Sequence, residues 1–413
     1  MLGFLVAEFG MERWLGWLNR RAMEPVLPER LKGFYDEGEY GRFQRYKREQ
    51  DRLGSAEAWV SFAVTAVFLC AGGFGWWDGV VDGLVEGEVW RTLVFMAGLG
   101  LAAEVMGLPF GWAETFGVEA RYGFNKTTRG TWWGDWLKGM AVSAVVGGLL
   151  LSALVLFWEW AGRWFWLYAW GAVTVFSVFM GMFYSELVVP LFNKQTPLGA
   201  GTLREKIEGF AREAGFRLKD IYVIDGSRRS TKANAYFTGL GRRKRIVLYD
   251  TLLKELTEEE VVAVLAHEVG HYRRRHTVRF MLASILQTGV MLWLFSLLAG
   301  EPAPAEALGG EGADFQLGLV AFSLLYGPVG VVLGVAVNGW SRRCEYEADA
   351  YAAEHYSGAL LASGLKKISV KALSNLTPHP WYERVYYSHP SLLKRLERLT
   401  INDEGLMINE KIL

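Results

Sequence analysis

Apolar runs of roughly twenty residues recur along this chain, separated by polar stretches. Six are clear, at 57–77, 89–112, 139–161, 164–189, 278–300 and 315–340. Each is near the ~20 residues an α-helix needs to cross a bilayer, so each predicts a transmembrane helix. Residues 1–18 are also apolar and aromatic, but they include Glu8, Glu12 and Arg13. They predict either a short seventh span or an amphipathic helix lying in the membrane interface. Residues 190–277 follow a different pattern. There the sequence predicts a helix around Leu203–Ala214, strands at Ile221–Ile224 and Ile246–Tyr249, and an extended stretch at Ala233–Phe237. The expected organisation is an apolar helix and basic segment (1–56), four spans (57–189), a soluble α/β segment (190–277), two spans (278–340) and a soluble tail (341–413).

Charge fixes an orientation. The segment before residue 57 is basic, the loop from Asp78 to Glu88 has no Lys or Arg, and Gly111–Lys138 has Arg121, Lys126, Arg129 and Lys138. Residues 190–277 are basic, Glu301–Asp314 is acidic and free of basic residues, and the tail is basic again. The positive-inside rule therefore puts residues 190–277 and the tail in the cytoplasm. Composition agrees with a membrane protein: 51% of residues are hydrophobic, and 18 are Trp. Net charge is zero and no aromatic–basic motif appears, so nucleic acid is not an expected partner. The two cysteines make neither a disulfide framework nor a C-x-x-C site. The first residues have no basic n-region, so no signal peptide is expected.

Within this frame one pentapeptide carries chemistry: His267-Glu268-Val269-Gly270-His271. On a helix its two histidines share a face, where they can hold a zinc ion, with Glu268 placed to take a proton from water. A helix is expected there. Thr257-Glu258-Glu259-Glu260 reads as a capping box, and Val261, Leu265 and Val269 recur every four residues. A third ligand is needed. A metzincin would carry Gly at 274 and His at 277, but those positions are Arg274 and Thr277. The run Ser341–Ala350 continues from the last apolar block and offers Glu345 as ligand, with Asp349 one turn on to orient a ligand histidine. Glu347 lies about 200° round from Glu345, so the two cannot share the metal. The alternative is that these carboxylates form a solvated face with Arg342 and Arg343.

Several ordered motifs together resemble one family. They are Phe124-Asn125-Lys126-Thr127, Pro190-Leu191-Phe192-Asn193-Lys194, Ser230–Gly239 around Asn234-Ala235-Tyr236-Phe237, the H-E-V-G-H pentapeptide, Ser341–Asp349, and Tyr387-Ser388-His389-Pro390. The chain is similar to the type I CAAX prenyl proteases, integral-membrane zinc metallopeptidases. That resemblance implies a mostly α polytopic membrane protein with a small gluzincin-like α/β catalytic region on the cytoplasmic side. It implies one zinc ion held by His267, His271 and Glu345, with Glu268 as general base and Asp349 behind the ligands. It further implies that Asn234, Ala235 and Tyr236 bind substrate as an added strand, and that His389 and Arg395 stabilise the oxyanion. His276, His355 and His379 match no such role and read as structural. The family has seven membrane helices, sometimes around a water-filled chamber; the charged first segment here departs from that pattern.

Two other readings compete. A protease with its site inside the bilayer is excluded, because Glu258–Glu260 and Arg273–Arg275 flank the motif. A non-catalytic transporter or quality-control binding protein with structural zinc would be expected to close the fourth metal position. No nearby Cys or His is an evident candidate. The expected partners are a lipid bilayer and a peptide or protein substrate, lipidated or membrane-associated. The C-terminal residues Asn409–Leu413 show no lysine retrieval signal; a bacterial cytoplasmic membrane is therefore expected, with the site facing the cytoplasm.

Overall fold

The computed structural model describes residues 1–33, 35–216, 218, 220–238 and 245–403. Gly239 and residues 404–413, on which parts of the sequence reading fall, lie outside the described residues. The chain is mostly helical. It opens with α1 (Leu2–Arg21), α2 (Glu37–Cys70), α3 (Glu88–Trp112), α4 (Arg129–Ala161) and α5 (Phe165–Leu187). The soluble segment contributes β1 (Gln195–Pro197), α6 (Thr202–Glu213), β2 (Asp220–Ile224), β3 (Ala235–Thr238), β4 (Arg245–Tyr249) and α7 (Glu258–Arg273). Then come α8 (His276–Leu298), α9 (Phe315–His355), α10 (Gly358–Lys371), α11 (Pro380–Tyr386) and α12 (Leu392–Asp403).

Among the described residues, five helical stretches are long and apolar enough to cross a bilayer, where the sequence predicts six. The difference lies in Arg129–Phe192, a single helical stretch of 64 residues. It turns at Gly162, whose φ of 50° favours glycine, and a 3₁₀ turn follows over Gly162–Trp164. Trp158 then meets Phe165 edge-on at 5.4 Å, and Trp160 meets Tyr168 at 5.1 Å, so α4 and α5 form a hairpin.

The apolar run 57–77 also differs from its expectation. Its helix starts far earlier, in polar sequence, because Asp36 accepts the Glu39 N–H at 2.7 Å in a capping box. It ends at Cys70, since Gly72 adopts φ +66°. A short helix, Gly73–Asp82, then packs against the loop at Leu308, whose carbonyl accepts the Gly75 N–H at 2.9 Å. α1 packs on α2, α9 and α11. Its Glu8 carboxylate fills the space that a side chain at Gly327 would need, so α1 runs beside the apolar half of α9. Within the most apolar stretches of α2, α3 and the α4–α5 hairpin, only 6% of residues are buried in the protein. Most of those side chains stay partly or fully exposed at the protein surface.

The sheet order is β1–β2–β4–β3, with β2 and β4 parallel and the outer pairs antiparallel. Ile221, Ile246 and Leu248 form a core with Ile207 and Phe210 of α6 and with Val261, Leu265 and Val269 of α7. The four-residue repeat predicted from sequence is thus the buried face of α7. Thr257 begins that helix by accepting the Glu260 N–H, while Glu260 accepts the Thr257 N–H at 2.8 Å. The same buried Glu260 receives Ser363 Oγ at 2.7 Å and Lys367 Nζ at 2.8 Å from α10. One carboxylate therefore caps α7 and fastens it to the tail. Glu260→Ala leaves the Thr257 N–H and Ser363 Oγ unmatched and is expected to cost about 1–3 kcal/mol. Thermal unfolding of the detergent-solubilised protein measures it.

Candidate active site

α7 carries His267 and His271 and crosses α9 closely enough to meet Glu345. The close approach depends on glycine. A Cβ at Gly270 would sit 3.0 Å from both Ala348 Cα and Tyr351 Cβ, and Ala348 is itself fully buried. Ligand atoms of His267, His271 and Glu345 consequently lie within 4.8 Å of one another. His271 Nε2 is 3.2 Å from both His267 Nε2 and Glu345 Oε1. Glu345 Oε2 is buried without a hydrogen bond, although Arg395 lies 3.4 Å away as an ion-pair neighbour. Two imidazoles and a buried carboxylate oxygen lacking a donor suit a metal ion. The solvated-face alternative for this run fails, since Glu345 and Asp349 are 4% and 2% exposed.

Asp349 accepts from His267 Nδ1 at 2.8 Å, which turns His267 Nε2 towards Glu345. Arg395 does something the sequence reading did not foresee. Its Nε and Nη2 bind the two Asp349 oxygens at 2.9 and 2.6 Å, and the whole side chain is buried. The signal was hidden because Arg395 on α12 is remote in sequence from both partners. His389 is well exposed and places Nε2 3.3 Å from Glu345 Oε1, while Nδ1 is 2.8 Å from Ser388 Oγ. Its loop is anchored by the buried Glu383, which accepts the Ser391 N–H at 3.0 Å, and by Arg342, which donates to the Glu383 carbonyl at 3.1 Å. A cavity of about 620 Å³ opens beside His389 and Arg395, lined also by Tyr46, Lys232, Asn375 and Tyr387. Glu268 is partly buried on the ligand helix, one residue from His267.

Asn234, Ala235 and Tyr236 lie at the start of β3, an outer strand of the sheet, and bond within the sheet and to Ser185. The Asn234 carbonyl accepts the Tyr249 N–H at 3.1 Å, and its Oδ1 accepts the Ala235 N–H at 2.8 Å. Ala235 packs towards α7, whereas the Tyr236 hydroxyl meets Ser185 Oγ at 3.4 Å across the other face. The family-like motifs hold the loop that leads into this strand. Lys126 donates its N–H to the Arg229 carbonyl at 3.0 Å, and Arg229 binds Asp135 at 2.7 and 2.9 Å. Asn193 and Lys194 both bond Asp225, at 3.1 and 2.8 Å. Of the histidines read as structural, His355 bonds the Tyr351 carbonyl and His379 caps α11. His276 is different: it is buried, with Nδ1 3.0 Å from His271 Nδ1 and Nε2 3.0 Å from Glu347 Oε2.

Comparison with known proteins covers nearly the whole chain. Residues 18–194 match a family described as CAAX prenyl protease N-terminal, five membrane helices, and residues 197–402 match peptidase family M48. A CAAX prenyl protease 1 homolog of Oryza sativa subsp. japonica is 34% identical over 408 residues, spanning 97% of this chain and 96% of the rice protein. The chain belongs to peptidase family M48. This M48 chain is also 30% identical to CAAX prenyl protease 1 of Saccharomyces cerevisiae, over 96% of the one and 94% of the other. The crystal structure of S. mikatae Ste24p superimposes with a TM-score of 0.91 at 30% identity, covering 96% of this chain and 97% of that one. The M48 chain is therefore an integral-membrane metalloendopeptidase, and its substrates are peptides or proteins.

Two expectations follow from this geometry. Burial opposes a charge on His267, but Asp349 and Glu345 outweigh it and push the metal-free imidazole up to about 9. A raised histidine stabilises the metal-free fold fully below its ordinary value near 6.5 and loses that contribution as pH rises through about 9. A metal needs the neutral ring, so its affinity rises over the same interval, and about one proton leaves per ion bound at pH 7. Titration calorimetry in two buffers of different ionisation enthalpy counts that proton. Secondly, Gly270→Ala, which by helix propensity alone gains up to about 1 kcal/mol, is expected instead to weaken metal binding by pushing α7 from α9. Chelator competition reads the change.

Proposed function

We propose that the enzyme hydrolyses peptide bonds with one zinc ion, held by His267, His271 and Glu345. The buried Glu345 carboxylate, with Oε1 3.2 Å from His271 Nε2 and an unbonded Oε2 3.5 Å from His267 Nε2, carries this reading. When bound there, zinc supplies a Lewis acid and lowers the pKa of water to near neutrality. Glu268, next to His267 on the same helix, accepts a proton from the attacking water and passes it to the leaving amine. His389, exposed beside Glu345, donates a hydrogen bond to the oxygen that gains charge in the transition state. Arg395 acts from behind: with its guanidinium bound to Asp349, it holds the carboxylate that orients His267.

Substrate would pair with the outer edge of β3. Because Asn234 and Tyr236 face β4 in the ladder, the main-chain groups of Ala235 and Phe237 turn to the open edge. Asn234 covers the Ala235 N–H in the free enzyme and, when substrate arrives, would swing to a substrate amide. Tyr236 supports the strand from its other face. The relatives named as prenyl proteases favour a lipidated substrate as one class, and the thinly packed membrane helices leave an apolar path beside it.

For the membrane itself, we count the α4–α5 hairpin as two spans, giving six. α1 is the seventh, with its Glu8 turned to Gly327 rather than to lipid. With α1, residues 57–189 and 278–340 then form the membrane region, while 190–277 and 341–413 form the cytoplasmic catalytic part. A bacterial cytoplasmic membrane remains the setting proposed on the sequence grounds above. Glu268→Gln is expected to keep zinc and to lose about 10²–10⁴-fold in peptidase rate. Zinc stoichiometry and cleavage of paired peptides, prenylated and unprenylated, test the mechanism and the substrate class together. Wild-type cleavage by the Gln variant would sink the mechanism, and equal rates on both peptides would remove lipid from the substrate definition.

A further inference from the structure

The two ligand histidines are held in different ways. His267 reaches a carboxylate directly, through Asp349 at 2.8 Å. His271 reaches one only through a second ring: its Nδ1 lies 3.0 Å from His276 Nδ1, and His276 Nε2 lies 3.0 Å from Glu347 Oε2. We infer that His276 and Glu347 form a positioning relay for His271, a role that neither the spacing of the pentapeptide nor the carboxylate run suggests.

The chemistry of this chain of contacts leaves one arrangement. If His271 presents Nε2 to zinc, its Nδ1 must carry hydrogen and donate. His276 Nδ1 must then be the acceptor, so the His276 proton sits on Nε2 and is donated to Glu347. Every donor has an acceptor, and both rings are neutral. No other neutral assignment leaves His271 Nε2 free while keeping both bonds. The relay also explains why two carboxylates on opposite sides of α9 serve one site: Glu345 meets the ligands and Glu347 holds the ring behind one of them.

The backbone independently supports the role. Had α7 continued as a helix, His276 would lie about 140° round from His271 and could not meet it. The chain instead breaks at Arg275, a non-glycine residue at φ 56°, ψ 30°, and restarts as α8 at His276. A left-handed arginine is an uncommon and costly conformation. Here it throws His276 back under His271, where the ring is 1% exposed and stands 72° to its neighbour at 5.1 Å.

The inference rests on the zinc reading, and the test separates the two. Full-length protein in detergent is stripped of metal, and zinc affinity is measured by competition with a fluorescent chelator. His276→Leu is expected to bind zinc 10–100-fold more weakly. His276→Asn, whose Oδ1 stands near the Nδ1 position and can accept from His271, is expected to recover most of that loss. Glu347→Ala should weaken binding, and Glu347→Gln, which still accepts from His276, should not. Wild-type affinity in His276→Leu overturns the relay, as does equal weakness in Leu and Asn, which would mean packing alone. If His276→Leu fails to fold, the Glu347 pair decides: Ala binding as tightly as wild type, or Gln as weakly as Ala, overturns it. His271→Ala is the control for the metal itself. Unchanged zinc binding there would overturn the zinc reading and the relay with it.

Discussion

The site depends on how closely two helices pack. His267 and His271 come from α7, Glu345 and Asp349 from α9, and the two meet because Gly270 lies against Ala348 with no room for a side chain. Dispersion and burial at that crossing hold the imidazoles and the carboxylate close together. What surrounds the crossing serves to keep it there. The capping carboxylate Glu260 ties α7 to α10, and Arg395 on α12 binds the Asp349 side of α9. The tail after the last span is therefore part of the catalytic frame.

Much of this was legible because it is local. The capping box, the four-residue apolar repeat, the two histidines one turn apart and Glu345–Asp349 one turn apart all follow from helical periodicity, and periodicity survives in any tertiary context. The apolar blocks, with strands at 220–224 and 245–249, were legible for the same reason. What was not legible came from backbone breaks and distant contacts. Gly72 splits an apolar run that reads as one helix. His276 looked idle because its meaning depends on the left-handed Arg275. Arg395 reads from the resemblance as an oxyanion residue, and its grip on Asp349 stayed hidden because amphipathic spacing on α12 says nothing about a carboxylate on another helix.

The motifs that carry the family resemblance divide by task. The pentapeptide and the Glu345 run place the metal ligands. Phe124–Thr127 and Pro190–Lys194 touch none of them; they grip the loop from Asp225 to Thr231 through Arg229, Asp225 and the paired backbones. That loop leads into β3. The edge strand is thus anchored at its entry by segments that adjoin the long apolar helices.

α9 is the element in which membrane and chemistry are covalently one. It runs unbroken from Phe315 to His355, with an apolar first half and the Glu345 carboxylate in its second. From Pro328 to Glu345 the helix is about 25 Å long, so a change in tilt of about 5° displaces the carboxylate by about 2 Å. The helix that crosses the membrane is therefore the same helix that carries Glu345 to the site.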